Sequence, residues 1–196
     1  MVLLLAACQK TTQHGELVCC APPAAVETSA AAAPGATSLY QMPGTWQTAQ
    51  GGEFPLDSLQ GKVRVFSMIF THCAYACPRT VDNMKEIASR LPAGVRDRVG
   101  FVLVTFDTAR DSTARLREFA AAKGLDGHFT LLRGSDTEVR MLSALLNVQY
   151  ARLATGDYSH SNVMVVLDEN GVIATRIEGL DVDAQAAAGK IAAVVR

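Results

Sequence analysis

Three apolar runs limit what this chain can become. They are residues 63–70 (VRVFSMIF), 99–106 (VGFVLVTF) and 162–167 (NVMVVL). Each has the length of a strand, and each is apolar at successive rather than alternate positions. A strand of that kind is buried on both faces, which places it in the middle of a sheet covered by helices. The segments between the runs read as helices. Val81, Met84, Ile87, Ala88 and Leu91 recur at spacings of three and four and make one apolar stripe. Strands alternating with helices predict a parallel sheet core.

The remaining elements fit around that core. Residues 46–48 and 53–56 flank Gly51-Gly52, a hairpin signal. The first helix follows the first run, with Pro78 in its opening turn, and ends at residues 91–94. Asp111 or Ser112 caps the next helix, which stops at Gly124. Residues 129–132 make a short strand. Ser135 and Glu138 have the spacing of a capping box ahead of Val139, Leu142, Leu145 and Leu146. Residues 168–171 form an Asn-Gly turn, and residues 172–177 return antiparallel to the third run. An alanine-rich helix over 181–195 closes the chain. The predicted class is α/β: a mixed, thioredoxin-like sheet flanked by helices, with an N-terminal β-hairpin.

Residues 40–196 hold all of these elements, and residues 1–39 read differently. From residue 9 to about 39 the chain is dominated by Ala, Thr, Ser and Pro, with too little apolar surface to offset its ordering entropy. It reads as a tether. Ahead of it, Leu5-Ala6-Ala7-Cys8 resembles a bacterial lipobox, which makes Cys8 a candidate for lipidation. No basic residue precedes the leucines, which suggests a truncated start. Within the tether, Cys19 and Cys20 lie near His14 and are soft-metal donors, although nothing rigid would hold them. No stretch reaches the roughly 18 apolar residues of a spanning helix. The formal charge of −1 gives no electrostatic footprint for nucleic acid or an anionic membrane.

The chemistry gathers at FTHCAYACPRT, residues 70–80, where the first run hands over to the first helix. Side chains delivered to such a junction sit at the top of an α/β sheet. If Pro78 opens the helix, Cys77 is its N-cap, where free N–H groups and the helix dipole favour a thiolate. Arg79 would add positive potential. Cys73 lies one turn ahead, so both sulfurs can meet each other or one metal ion. The wider CxxxC spacing leaves more room for a metal than CxxC does. Two buried structural cysteines are the plain alternative. A structural zinc site would need four protein ligands. The histidines beside this pair are His72, His128 and His160.

Three motifs in order add a family resemblance over residues 40–196. Phe70-Thr71-His72-Cys73 with Ala76-Cys77-Pro78 resembles the F-T-x-C-x-x-x-C-P of the Sco/SenC copper proteins. VTFDTARDS at 104–112 resembles their S-x-D-P-x-R-D-T segment, with Thr108 in place of the proline. Residues 157–168 resemble their D-x-x-x-H-S stretch. The resemblance implies a copper site, for Cu(I) and Cu(II), made of Cys73, Cys77 and His160. It implies a redox disulfide between Cys73 and Cys77 as a companion state. Asp107 is retained as a residue behind the ligands or one that docks a partner. The implied function is a monomeric, lipid-tethered periplasmic metallochaperone for the dinuclear copper centre of a respiratory oxidase or related copper reductase. The competing reading is a thiol–disulfide reductase acting on that partner through Cys73 and Cys77. A peroxidase of the same fold, needing one reactive cysteine and no copper, ranks behind it, and a purely structural binding module comes last.

Overall fold

The three apolar runs become neighbouring strands at the centre of one sheet. The computed structural model describes residues 37–196. In chain order, β1 (Trp46–Thr48) and β2 (Glu53–Phe54) form a hairpin. Then β3 (Val63–Ile69) leads into α1 (Ala76–Arg90) and the short α2 (Ala93–Arg96). They are followed by β4 (Val99–Thr105), α3 (Thr113–Ala122), β5 (Phe129–Arg133) and α4 (Asp136–Leu145). Two hairpins come next, β6 (Tyr150–Arg152) with β7 (Tyr158–His160), and β8 (Val163–Leu167) with β9 (Ile173–Glu178). Helix α5 (Ala184–Ala192) ends the fold.

The main sheet has the order β2-β1-β5-β4-β3-β8-β9. Strands β3, β4 and β5 run parallel, and β3 and β4 stay in register from Val63↔Val99 to Ile69↔Thr105. Strand β8 lies antiparallel against the other side of β3. Every residue of β4 and β8 is buried, as is every residue of β3 except Arg64. That burial explains the absence of alternation in the sequence, because side chains on both faces reach a core. Each fully buried Val, Leu or Phe contributes roughly 1.5–3 kcal/mol of transfer free energy. Helices α1 and α5 pack against each other beside the sheet. Among the described residues no helix is long and apolar enough to cross a membrane. Leu39 and Tyr40 are both buried in a short 3-10 turn, Leu39–Gln41.

Local signals mostly act as their chemistry dictates. Ser135 and Glu138 form the capping box of α4. At the far end of that helix Asn147 adopts φ 47°. There the Val148 N–H reaches the Ser143 carbonyl (2.8 Å) and the Asn147 N–H reaches that of Ala144 (3.1 Å). This is a Schellman ending with asparagine in the left-handed position. Gly171 closes the β8–β9 turn at φ 83°, and a Cβ there would lie 2.5 Å from the Tyr40 ring. Glycine is therefore required both by the turn and by the close approach of the 3-10 turn at Leu39–Gln41.

One expectation changes, one alternative is settled and one element is added. Helix α1 opens at Ala76 with Tyr75 as its N-cap, so Cys77 is its second residue and Pro78 its third. Proline is still accommodated, because the first turn has no internal acceptor for its missing N–H. Ser112, not Asp111, caps α3, accepting from the Arg115 N–H. The β6–β7 hairpin forms a separate two-stranded sheet ahead of β8.

Glu138 also accepts from the Thr45 N–H (2.5 Å), tying the start of the domain to α4. Partial burial raises its pKa, but the backbone N–H groups of Ser135 and Thr45 outweigh this, and the net value lies below the usual 4.5. A carboxyl held lower in the folded state adds stability above its unfolded pKa and loses it as the pH falls through the folded value. Urea unfolding between pH 6 and 3 should therefore show a decline in stability that Glu138→Gln flattens, with the variant less stable than the parent at neutral pH.

Candidate metal centre

The site is built where β3 ends. Phe70 follows the last residue of the strand, and the Cys73 N–H closes a turn on the Phe70 carbonyl (3.3 Å). Helix α1 then starts and turns Cys77 inward. Cys77 is 0% exposed and Cys73 is half-buried. Backbone donors face both sulfurs. The Phe70 N–H points at Cys77 Sγ (3.4 Å) and the Cys77 N–H at Cys73 Sγ (3.3 Å).

His160 arrives from 83 residues away, with its Nε2 3.6 Å from Cys77 Sγ. Pairing in the β6–β7 hairpin sets it opposite Tyr150. An aromatic cluster presses this hairpin onto the ends of β3 and β4. Phe106 stacks on Tyr150 at 5.0 Å and lies 5.2 Å from the His160 ring, while Phe70 lies 5.3 Å from Tyr158. Such pairs contribute about 0.5–1.5 kcal/mol each beyond their buried area. The Nδ1 of His160 sits 3.1 Å from the Ser161 carbonyl. A carbonyl only accepts, so Nδ1 donates there and Nε2 is the ring nitrogen that faces Cys77 Sγ.

Asp107 stands behind the hairpin. It is 2% exposed, and its carboxylate turns inward to accept from Arg110 Nε and from the Tyr158 hydroxyl (3.5 Å). The Arg110 guanidinium lies 5.8 Å from the Tyr158 ring centre and 6.0 Å from that of Phe70. Asp107 thus offers a docking partner almost no surface, and it braces the element that carries His160.

Cys73, Cys77 and His160 each present one donor atom, and these atoms lie within 4.8 Å of one another. Two sulfurs and an imidazole are a soft donor set that fits copper. The group opens onto a cleft walled by Phe70, Tyr75, Leu153 and Tyr158. Its electrostatics differ from those of a capping cysteine. Burial is the largest influence on Cys77 and pushes its thiol pKa up, more strongly than the Phe70 N–H pulls it down. Negative charge on Cys73 or Asp111 adds to the rise. Arg79, expected to favour the thiolate, is exposed and does not act on it. A reactive, low-pKa Cys77 is therefore corrected to a buried thiol, which a bound cation would convert to thiolate.

The other histidines are elsewhere. His72 is 41% exposed and turns its Nδ1 toward Asp111 (3.6 Å). His128 lies just before β5, at the opposite end of the parallel strands from the cysteines. Cys8, His14, Cys19 and Cys20 lie outside the described residues. Sequence reasoning missed the hairpin and its aromatic seat. A signal was present, since Tyr150-x-Arg152 and Tyr158-x-His160 alternate around Gly156.

A profile of the SCO1/SenC family matches residues 36–196. The chain belongs to the SCO1/SenC family. Among curated relatives, a Stutzerimonas stutzeri protein named for copper binding is 30% identical over 122 residues, which span 60% of this chain and 59% of that one. The match thus spans about three-fifths of that relative's length. Among solved structures, copper-bound ScoI of Arabidopsis thaliana has a TM-score of 0.70 and 20% identity, covering 77% of this chain and 94% of that one. BsSco, described as a Sco-family cytochrome c oxidase assembly protein with a disulfide switch, has a TM-score of 0.66 and 21% identity, covering 79% and 94%. At these identities the two structures show that this SCO1/SenC chain shares their thioredoxin-like fold.

If Asp107 holds the hairpin down, Asp107→Asn should loosen it alone. Hydrogen bonds to charged groups contribute about 1.5–3 kcal/mol. Amide exchange at Ala151 and Ser159, the hydrogen-bonded pair of that hairpin, should therefore rise by roughly tenfold or more, with β3 and β4 unchanged.

Proposed function

We propose that this SCO1/SenC chain is an extracytoplasmic copper carrier. In this reading it binds copper through Cys73, Cys77 and His160 and passes it to the dinuclear copper centre of a respiratory oxidase or related copper reductase. The observation that carries the proposal is the convergence of three soft donor atoms within 4.8 Å at an open cleft. The names of the similar proteins support it, since they refer to copper binding, bound copper and oxidase assembly.

The geometry suits a cargo that must leave again. Two sulfur donors select Cu(I), and the imidazole adds affinity for both oxidation states. Three protein donors leave a coordination position for an incoming ligand, so copper can move by stepwise ligand exchange. Cys73 is the more exposed sulfur and the one a partner can reach first. The segment ahead of the folded domain serves as leader and tether in this proposal, with Cys8 as the lipidated residue and the periplasm as the compartment. The folded domain then acts as a monomer.

One feature favours a thiol–disulfide role as well. Cys73, in the turn ahead of α1, and Cys77, in its first turn, have their sulfurs in reach of each other, and BsSco is described by its disulfide switch. In that role Cys73 attacks a partner disulfide, and Cys77 then displaces the partner sulfur from the mixed disulfide. Reduction of a partner would proceed without His160, whereas tight copper binding would not.

Titration with Cu(I) against a competing chelator separates the two. One equivalent should bind to the domain, and Cys73→Ser or Cys77→Ser should weaken it by roughly two orders of magnitude or more, at or beyond the upper end of changes around a metal's ligands. His160→Ala should weaken Cu(II) more than Cu(I) and leave thiol–disulfide exchange intact. Unchanged copper binding in Cys73→Ser would refute the assignment.

A further inference from the structure

The turn that carries Cys73 is anchored by a carboxylate that neither binds in the trio nor caps a helix. Asp111 is 0% exposed. Its Oδ2 accepts from the Thr71 N–H (3.0 Å) and the Thr105 hydroxyl (2.5 Å), and its Oδ1 from the Thr71 hydroxyl (2.5 Å). Arg115 Nε donates to the same Thr71 hydroxyl (3.1 Å) without touching Asp111 itself. Among the described residues the one ion-pair partner within 4.0 Å of its carboxylate is His72, at 3.6 Å, which is cationic only when protonated. A buried carboxylate held mainly by neutral donors carries a heavy desolvation cost, and charge-assisted hydrogen bonds offset it. Three of its donors fix two threonines, one at the end of β4 and one two residues before Cys73.

His72, Asp107 and Asp111 also bring one donor atom each within 4.8 Å. Asp107 is committed to Arg110 and Tyr158, and Asp111 to Thr71 and Thr105. Their oxygens already hold donors, so the cluster is a brace and not a second cation site.

We propose that Asp111 is a positioning residue for the thiol site: through Thr71 it fixes the turn at residues 70–73, and with it the place of the Cys73 sulfur relative to Cys77. The importance of that placement for copper rests on the copper-carrier reading, while the placement itself needs no metal. Asparagine can keep most of the arrangement. Its amide oxygen can accept from the Thr71 N–H and the Thr105 hydroxyl, and its NH₂ can donate to the Thr71 hydroxyl oxygen. Alanine can keep none of it.

The test uses the full chain with Cys8, Cys19 and Cys20 replaced by serine, carrying Asp111→Ala, Asp111→Asn or Thr71→Val. Leu142→Ala, buried in α4 away from the site, is the control for lost stability. Two constants are measured. One is the metal-free equilibrium in which the Cys73–Cys77 dithiol reduces glutathione disulfide to two glutathione thiols and becomes a disulfide. The other is the Cu(I) affinity against a chelator. Asp111→Ala and Thr71→Val should each shift the dithiol constant and weaken Cu(I) by about tenfold. Asp111→Asn should restore both most of the way, and Leu142→Ala should move neither. The proposal is overturned if Asp111→Ala leaves both constants at the parent values, or moves them no more than Leu142→Ala does. If Asp111→Ala does not fold, Thr71→Val decides on the same criteria. If the parent binds no Cu(I) but Asp111→Ala still shifts the dithiol constant, the copper reading fails and the positioning role stands.

Discussion

Everything at this site depends on one packing contact: the β6–β7 hairpin seated on Phe106 and Phe70. The two cysteines are local in sequence, one in the turn after β3 and one in the first turn of α1. His160 is not local. Its Nε2 reaches 3.6 Å from Cys77 Sγ because Tyr150, Tyr158 and the imidazole itself lie on aromatic rings at the ends of β3 and β4. Those rings hold position because their strands are buried on both faces and paired in register. The central sheet is therefore the reason that a hairpin with only three residues in each strand can hold a donor atom in place.

Two carboxylates extend this logic, and both come from the short segment after β4. Asp107 holds the hairpin through Tyr158 and Arg110. Asp111 holds the cysteine turn through Thr71. Neither belongs to the trio. Each half of the donor set is thus referred back to the same stretch of chain, and a fixed donor set spends little ordering entropy when a ligand binds. Burial has an opposing effect at Cys77, where the lost solvation favours the neutral thiol. A cation reverses that preference, so the pocket discourages a free thiolate and accommodates a metal-bound one.

Most of the sheet was legible in the sequence because its strands carry a two-sided apolar signature and its helices a three-four stripe. The capping box, the Asn-Gly turn and the cysteine junction were legible for the same reason, since each is a local rule. Cys77 was placed correctly at the junction and wrongly in its environment. Its N-cap assignment rested on Pro78 opening the helix, and α1 starts two residues earlier with Tyr75 as cap. A shift of that size turns a side chain from solvent toward the core. The role of Asp111 was not legible, because a carboxylate beside a helix start reads as a cap, and only the tertiary fold brings Thr71 and Thr105 around it. His160 could be selected from sequence only through family resemblance, because its place depends on a hairpin whose short, half-exposed strands carry a weak pattern.

The central claim is that these three side chains form one copper site in the folded domain. X-ray absorption at the copper edge of the Cu(I)-loaded protein tests it most directly. The account predicts a shell of two sulfurs and one imidazole nitrogen per copper, with the nitrogen lost in His160→Ala and the sulfurs lost when Cys73 and Cys77 are both serine. A sulfur-only shell in the wild-type chain, or a shell that survives the double serine replacement, would contradict it.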